Sequence, residues 1–337
     1  MRRSATPATI TLVRRRPQRP VNSYRYDAML FKTLRIERRC ARAATLLALS
    51  ALLTTAAHAA DFGYTLLHVD GGLATQASGI TADGTIVGSY QQPQGQSVVI
   101  RPFSYRDGMY RKLPAVEPAV YSFDDVNDKR HLVANLTHRD RSSQALLIRG
   151  KQKTAIEVPG AVMTRVDALN NLDTVVGSYD HDPDQYGILT TSGFLWTEAG
   201  GVVPFDAPGA VGLTIPWGLN KAGTAVGVYI DADSVYHGFV RGAGGTVTTL
   251  DYPGSPYTQL MDINDSGDIV GFYQDPVDYI IRGFLYRAGK FIPVGPAEAT
   301  QGAYPWRIAA NGRIVGWYAN DQGLVNSFLA TPSTVGE

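Results

Sequence analysis

The stretch "NDSGDIVGFY", Asn264–Tyr273, decides the fold. Asn264-Asp265-Ser266-Gly267 reads as a tight turn, and Asp268–Tyr273 as a short strand of β-branched and aromatic residues. Related stretches recur: "TADGTIVGSY" at 81–90, "NNLDTVVGSY" at 170–179, "NKAGTAVGVY" at 220–229 and "ANGRIVGWY" at 310–318. Aligned on the residue that follows the apolar pair, the copies fall at Gly88, Ala134, Gly177, Gly227, Gly271 and Gly316, at spacings of 46, 43, 50, 44 and 45. A fixed period of this length marks a repeat architecture.

Working outward from Gly271, the fifth copy holds four short segments: "TQLMDI" (258–263), "DIVGFY" (268–273), "IRGFLYR" (281–287) and "KFIPVG" (290–295). None sustains a 3.6-residue period, so strands are expected and helices are not. The third segment repeats a small residue followed by Phe, at Pro102-Phe103, Gly193-Phe194, Gly238-Phe239, Gly283-Phe284 and Ser327-Phe328. The second copy departs most, with Ala145-Leu146 there and "NDKRHLVANL" (127–136) lacking both glycines, which puts the regularity of its blade in question.

Four antiparallel strands in about 45 residues match a propeller blade. The sixth copy stops after its third segment, while "FGYTLLHVDGG" (62–72) resembles the fourth-segment stretch "GTVTTLDYPGS" (245–255). The expectation is an all-β, six-bladed β-propeller over 60–332, its last blade completed by the N-terminal strand, with 333–337 as a tail. Such closure removes two sheet edges. A β-solenoid or a sandwich of packed hairpins is the competing fold.

On these residues the chain resembles the HAF family of predicted extracellular repeats, over roughly 62–330. The family's motif stands here as His237-Gly238-Phe239 with weaker copies, beside the "N-x-x-G-x-I-V-G-x-Y" and "G-F-L-Y" segments. The resemblance implies an extracellular repeat protein and no particular chemistry.

Charge is unevenly placed. Residues 1–59 carry 12 Lys/Arg against 2 Asp/Glu, leaving 19 basic and 28 acidic groups in 60–337, so a net charge of +1 conceals a body of −9. That sign gives no support for a nucleic-acid partner. Lys32, Arg35, Arg38, Arg39 and Arg42 precede the apolar run "AATLLALSALLTTAA" (43–57), which ends in Ala57-His58-Ala59. This order reads as a signal peptide over 29–59, after a leader or mis-called start over 1–28. The one cysteine, Cys40, falls inside it, so the exported product would rely on packing rather than disulfides. A soluble periplasmic or extracellular monomer is expected.

The turn and strand glycines, and the repeated Phe and Tyr, read first as structural. The loops between second and third strands differ from copy to copy and gather acidic and aromatic residues. They hold Asp180, Asp182, Asp184 and Tyr186, then Asp231 and Asp233, Asp275 and Asp278, and Asp321. In a propeller these loops share a face with the connections between blades, where Trp217, Tyr257, Tyr304 and Trp306 are placed by this reading. Rigid scaffolds carry binding residues on such loops. A non-enzymatic site for a glycan or protein partner is therefore the leading expectation. A solvated acidic rim, a polysaccharide hydrolase or lyase using loop carboxylates, and a structural envelope protein without a discrete site are the alternatives. No cofactor is called for. A Ca²⁺ ion at Asp262, Asn264 and Asp268 is a faint possibility, since the corresponding turns elsewhere carry too few carboxylates. His138, His181 and His237 lie a blade apart and do not suggest one metal site.

Overall fold

The computed structural model describes residues 62–95, 97–112, 120–137, 143–181, 190–323 and 325–333. The N-terminal segment read as a signal peptide lies outside the described residues, as do His138, Asp182, Asp184 and Tyr186.

The described strands form six antiparallel four-stranded sheets. Blade one is β2 (Thr75–Ile80), β3 (Ile86–Gln94), β4 (Ser97–Arg106) and β5 (Met109–Lys112). Blade two is β6 (Val120–Val126), β7 (Leu132–Thr137), β8 (Ser143–Arg149) and β9 (Gln152–Ile156). Blade three is β10 (Met163–Leu169), β11 (Val175–His181), β12 (Thr190–Thr197) and β13 (Gly201–Phe205). Blade four is β14 (Thr214–Leu219), β15 (Ala225–Ile230), β16 (Tyr236–Arg241) and β17 (Val247–Thr249). Blade five is β18 (Thr258–Ile263), β19 (Ile269–Gln274), β20 (Ile281–Arg287) and β21 (Lys290–Pro293). Blade six combines β22 (Gly302–Ile308), β23 (Ile314–Ala319) and β24 (Val325–Pro332) with β1 (Phe62–Leu67). β1 pairs antiparallel with β24 from Phe62↔Pro332 to Leu67↔Ser327, so the chain's two ends finish one sheet and close the ring. Ser327 also reaches blade one: its Oγ accepts from the Ala77 amide at 2.7 Å and donates to the Thr75 carbonyl at 2.9 Å.

Two devices set each blade. In the second strand, Gly271 faces Phe284 of β20. A Cβ at Gly271 would lie 2.2 Å from the Gln259 carbonyl oxygen and 2.8 Å from the Phe284 ring, so only glycine fits. The same pairing recurs as Gly88–Phe103, Gly177–Phe194, Gly227–Phe239 and Gly316–Phe328. These five phenylalanines, with Phe272, are among the largest side chains fully removed from water; Phe284 itself is 1% exposed. The small residue before Phe has its own reason. At Gly283 a Cβ would come within 2.3 Å of the Val294 carbonyl oxygen on the chain leaving β21.

The second device is the turn asparagine. Asn264 Oδ1 accepts from the Ser266 and Asp268 amides, closing its own turn. Its counterparts also clamp neighbouring blades: Asn127 Nδ2 donates to the Asn170 carbonyl, Asn170 to that of Asn220, and Asn220 to that of Asn264. Gly267 takes φ 85° in this turn, and Arg130 and Asp173 take φ 62° at the matching place in blades two and three.

Blade two is regular, which corrects the doubt raised by its sequence. It has all four strands, and Ala134 faces Leu146 where the other blades have Gly facing Phe. The smaller Leu replaces the ring exactly where the backbone carries a methyl, so both departures arise together. His131 and Asn127 meet Asp173 of blade three at 2.9 Å each, and Arg149 meets it at 3.2 Å, tying the two blades.

Candidate functional site

In this connectivity, the turns inside the first and second hairpin of each blade lie on one face. The second-to-third-strand loops and the blade-to-blade connections lie on the other, here the loop face. The first strand of each blade lines the axis, running from the loop face to the turn face.

Every first strand carries a β-bulge at the same place. The bulged residues are Ser78, Asp124, Asp167, Trp217, Met261 and Trp306, each skipped in its strand's pairing register. A bulge re-aims side chains and frees a carbonyl from the ladder. One step toward the turn face stand Asp125, Asp262 and Arg307.

Arg307 occupies the axis. Its Nη2 donates to the carbonyls of Asp167 at 2.6 Å and Asp124 at 3.2 Å, and its Nη1 to those of Trp306 at 3.0 Å and Met261 at 3.4 Å. Its Nε lies 3.5 Å from Asp125 Oδ1. One side chain from blade six thus touches blades two, three and five. It is buried, and so are Asp125, Asp167 and Asp262. Burial pushes all three carboxyls up against the opposing pull of Arg307, Asp167 to about 7. Asp125 and Asp262 also accept amides of the next blade, from Leu169 at 3.2 Å and Ile308 at 2.9 Å. Arg165 and the Ser178 hydroxyl also face the buried Asp167 carboxyl and pull against the rise that burial causes.

Trp217 and Trp306, from blades four and six, approach each other with ring centroids 6.1 Å apart and planes tilted by 50°. Both are half-buried. The Arg307 guanidinium lies 5.9 Å from the Trp306 ring centre. On the turn face the axis opens instead into a funnel of about 70 Å³, with turn residues such as Asn127, Asn170 and Asn220 on its wall and Asp125 and Asp262 deeper in.

The residues expected at a binding face divide in three. Trp217, Tyr304 and Trp306 are corrected in place: they belong to the first strands β14 and β22, not to connections. An aromatic inside a strand reads like one beside it, and the bulge that turns the tryptophans to the axis has no sequence mark. Tyr257, just before β18, and Tyr304 take part in a ring ladder with Tyr236, Phe272 and Trp317 that crosses two blade junctions. Burial raises Tyr304 to about 12, so its hydroxyl stays protonated.

Most loop carboxylates hold loops. Asp180 grips Arg165 with both oxygens, at 2.8 and 3.1 Å. Asp231 accepts the Asp233 and Val235 amides, each at 2.9 Å, and meets His237 at 3.1 Å. Asp275 and Asp278 both bind Arg282. Asp321 accepts from Gln301 at 2.6 Å, and Asp233 is exposed. The turn residues considered for Ca²⁺ diverge. Asp268 is paired with Arg287 through both oxygens, while Asp262 points to the Ile308 amide. Among the described residues no three His, Cys, Asp or Glu side chains gather as a metal site.

Sequence reasoning missed Asp124, Asp125, Asp167 and Arg307. A signal was present: these are charged residues inside otherwise apolar first strands, at fixed offsets before each turn, and a buried charge requires a partner.

No protein-family model matches the chain, and no curated protein matches it. Solved structures do. A fucose-specific lectin from Aleuria aurantia is 9% identical, with 81% of this chain and 96% of that one covered and a TM-score of 0.47. The β-propeller domain of the Trilobed protease from Pyrococcus furiosus, of open velcro topology, is 12% identical over 76% and 82%, at 0.48. AofleA from Arthrobotrys oligospora is 15% identical over 67% and 74%, at 0.42. These are likenesses of chain path. No helix among the described residues is long and apolar enough to cross a membrane.

Proposed function

We propose that this chain is an exported, non-enzymatic binding propeller that takes a glycan at the loop end of its axis, at the cell envelope or outside the cell. The observation that carries this reading is the half-buried Trp217–Trp306 pair at the axis. An indole face suits the apolar face of a sugar ring. Both tryptophans are held by a closed ring of strands, which limits the ordering cost of binding. The export part rests on the signal-like order of residues 29–59.

A glycan array probed with residues 60–337, with Trp306→Leu alongside, tests it. A defined set of glycans should bind and be lost in the variant at unchanged unfolding midpoint. No binding, or equal binding by the variant, ends the reading.

One observation favours a second reading as a polysaccharide hydrolase or lyase. Asp167, pushed to about 7 by burial, would hold a proton near neutrality as a general acid does. Release of reducing or unsaturated ends from a polysaccharide panel, lost in Asp167→Asn, would establish it in place of the binding reading.

A further inference from the structure

We propose that the turn face of the propeller docks on a lipid surface that carries anionic headgroups. This goes beyond the glycan reading, which concerns the opposite face, and draws on that reading only for the leader.

Three observations converge. The first is charge. The hairpin turns and the strand ends that border them hold ten Lys/Arg and seven Asp/Glu among the described residues, although residues 60–337 are −9 as a whole. Five of those carboxylates, Asp83, Asp107, Asp173, Glu198 and Asp268, are already held in ion pairs with arginines of the same face. Lys129, Lys151, Lys221, Arg241, Lys290 and Arg313 make no ion pair among the described residues. The surplus acts locally. First strands of six or seven residues set the two faces about 20 Å apart, against a Debye length of about 10 Å, so the acidic loop face does not cancel it.

The second is apolar exposure. Leu172 and Met109, at turns of blades three and one, are 60% and 66% exposed. These are the two blades that supply none of the six unpaired cations, so every blade presents a cation or an apolar side chain on this face. Basic and apolar side chains on one surface fit the headgroup region of an anionic bilayer.

The third is where the chain enters. Fourth strands run from the turn face to the loop face, so β1 begins at Phe62 on the turn face. Only residues 58–61 lie between that strand and the apolar run 43–57. A leader held in a membrane therefore brings this face to it and leaves the loop end of the axis open to ligand.

The test is co-sedimentation of residues 60–337, which hold all six blades and lack the leader, with vesicles of phosphatidylcholine alone or with about one third phosphatidylglycerol. Partitioning onto the anionic vesicles should be at least about tenfold stronger at about 0.1 M salt and be lost at about 0.5 M. The triple variant Lys129→Glu/Lys221→Glu/Lys290→Glu should lose it at an unchanged unfolding midpoint, and Leu172→Ser should weaken it several-fold. Asp233→Lys, on the loop face, should leave it unchanged. Equal partitioning onto both vesicles overturns the proposal, and so does anionic binding that the triple variant retains. Retention on a soluble polyanion such as heparin without vesicle binding also overturns it, in favour of an anionic polymer. These vesicles carry no glycan, so each of these failures leaves the glycan reading standing.

Discussion

Phe284 lies directly across the strand pair from Gly271, with its ring over the place a Cβ would occupy. The relationship recurs in five blades and is replaced in blade two by Leu146 opposite Ala134. An aromatic covering a strand glycine restores the packing that glycine lacks. Gly271→Ala should therefore cost about 1–3 kcal/mol by overpacking. Phe284→Ala should cost about 3–5 kcal/mol by leaving a cavity. The double variant Gly271→Ala/Phe284→Leu, built on the blade-two pair, should cost less than the sum of its single changes. Urea unfolding of all members checks this, and strict additivity would show that the two residues do not share one space.

Arg307 holds the axis through four carbonyls and a carboxylate. Arg307→Ala leaves Asp125 and Asp262 buried without their cation. The expected loss is about 3–5 kcal/mol. Denaturant midpoints measure it, and a loss below about 1 kcal/mol would mean that the axis is held by the blades alone.

Ring closure depends on six registered pairs between β1 and β24. A chain beginning at Gly71 should lose cooperative unfolding, because β24 becomes an open edge and Leu67, 1% exposed, leaves the seam. Calorimetry of this truncation against residues 60–337 decides it. An unchanged transition would show that the strand is dispensable.

His237 donates toward Asp251 at 2.7 Å and Asp231 at 3.1 Å, one carboxylate on each ring nitrogen. Burial alone would lower its pKa, but the two carboxylates prevail and raise it above the ordinary 6.5. The folded state therefore holds this proton more tightly than the unfolded one. The stabilisation is complete below the unfolded pKa of 6.5 and is lost as pH rises through the folded value. His237→Gln should remove that slope, so the stability gap between parent and variant narrows from pH 6 toward pH 9. A gap independent of pH would show that the imidazole is not charged in the fold.

Asp167 has a linkage of the same sign, since its folded pKa is also raised. Its folded pKa of about 7 stands above the ordinary carboxyl value of 3.8, so the unfolded chain ionises first. Stability falls as pH rises between those two values, by on the order of 4 kcal/mol for a shift of that size. Asp167→Asn should flatten this limb and be more stable than the parent at pH 8. Paired pH-dependent urea titrations check it, and a parent curve no steeper than the variant's would place the proton elsewhere.

The sequence by itself determined the repeat, the blade count and the closing strand. Those depend on local chemistry that must recur in each copy: a turn asparagine such as Asn264, a strand glycine such as Gly271, and a Phe to cover it. The strand that finishes blade six was legible because "FGYTLLHVDGG" still resembles a fourth strand although it lies at the far end of the chain. The loop carboxylates were legible as a cluster of type, but not as Asp180 gripping Arg165 or Asp275 gripping Arg282. What only the tertiary structure decided is the axis. Asp125, Asp167, Trp217, Asp262 and Arg307 are separated by whole blades in sequence and meet only when six bulged first strands converge. A repeat makes its local pattern visible many times. A residue that acts once, across the ring, is visible only when the ring has closed.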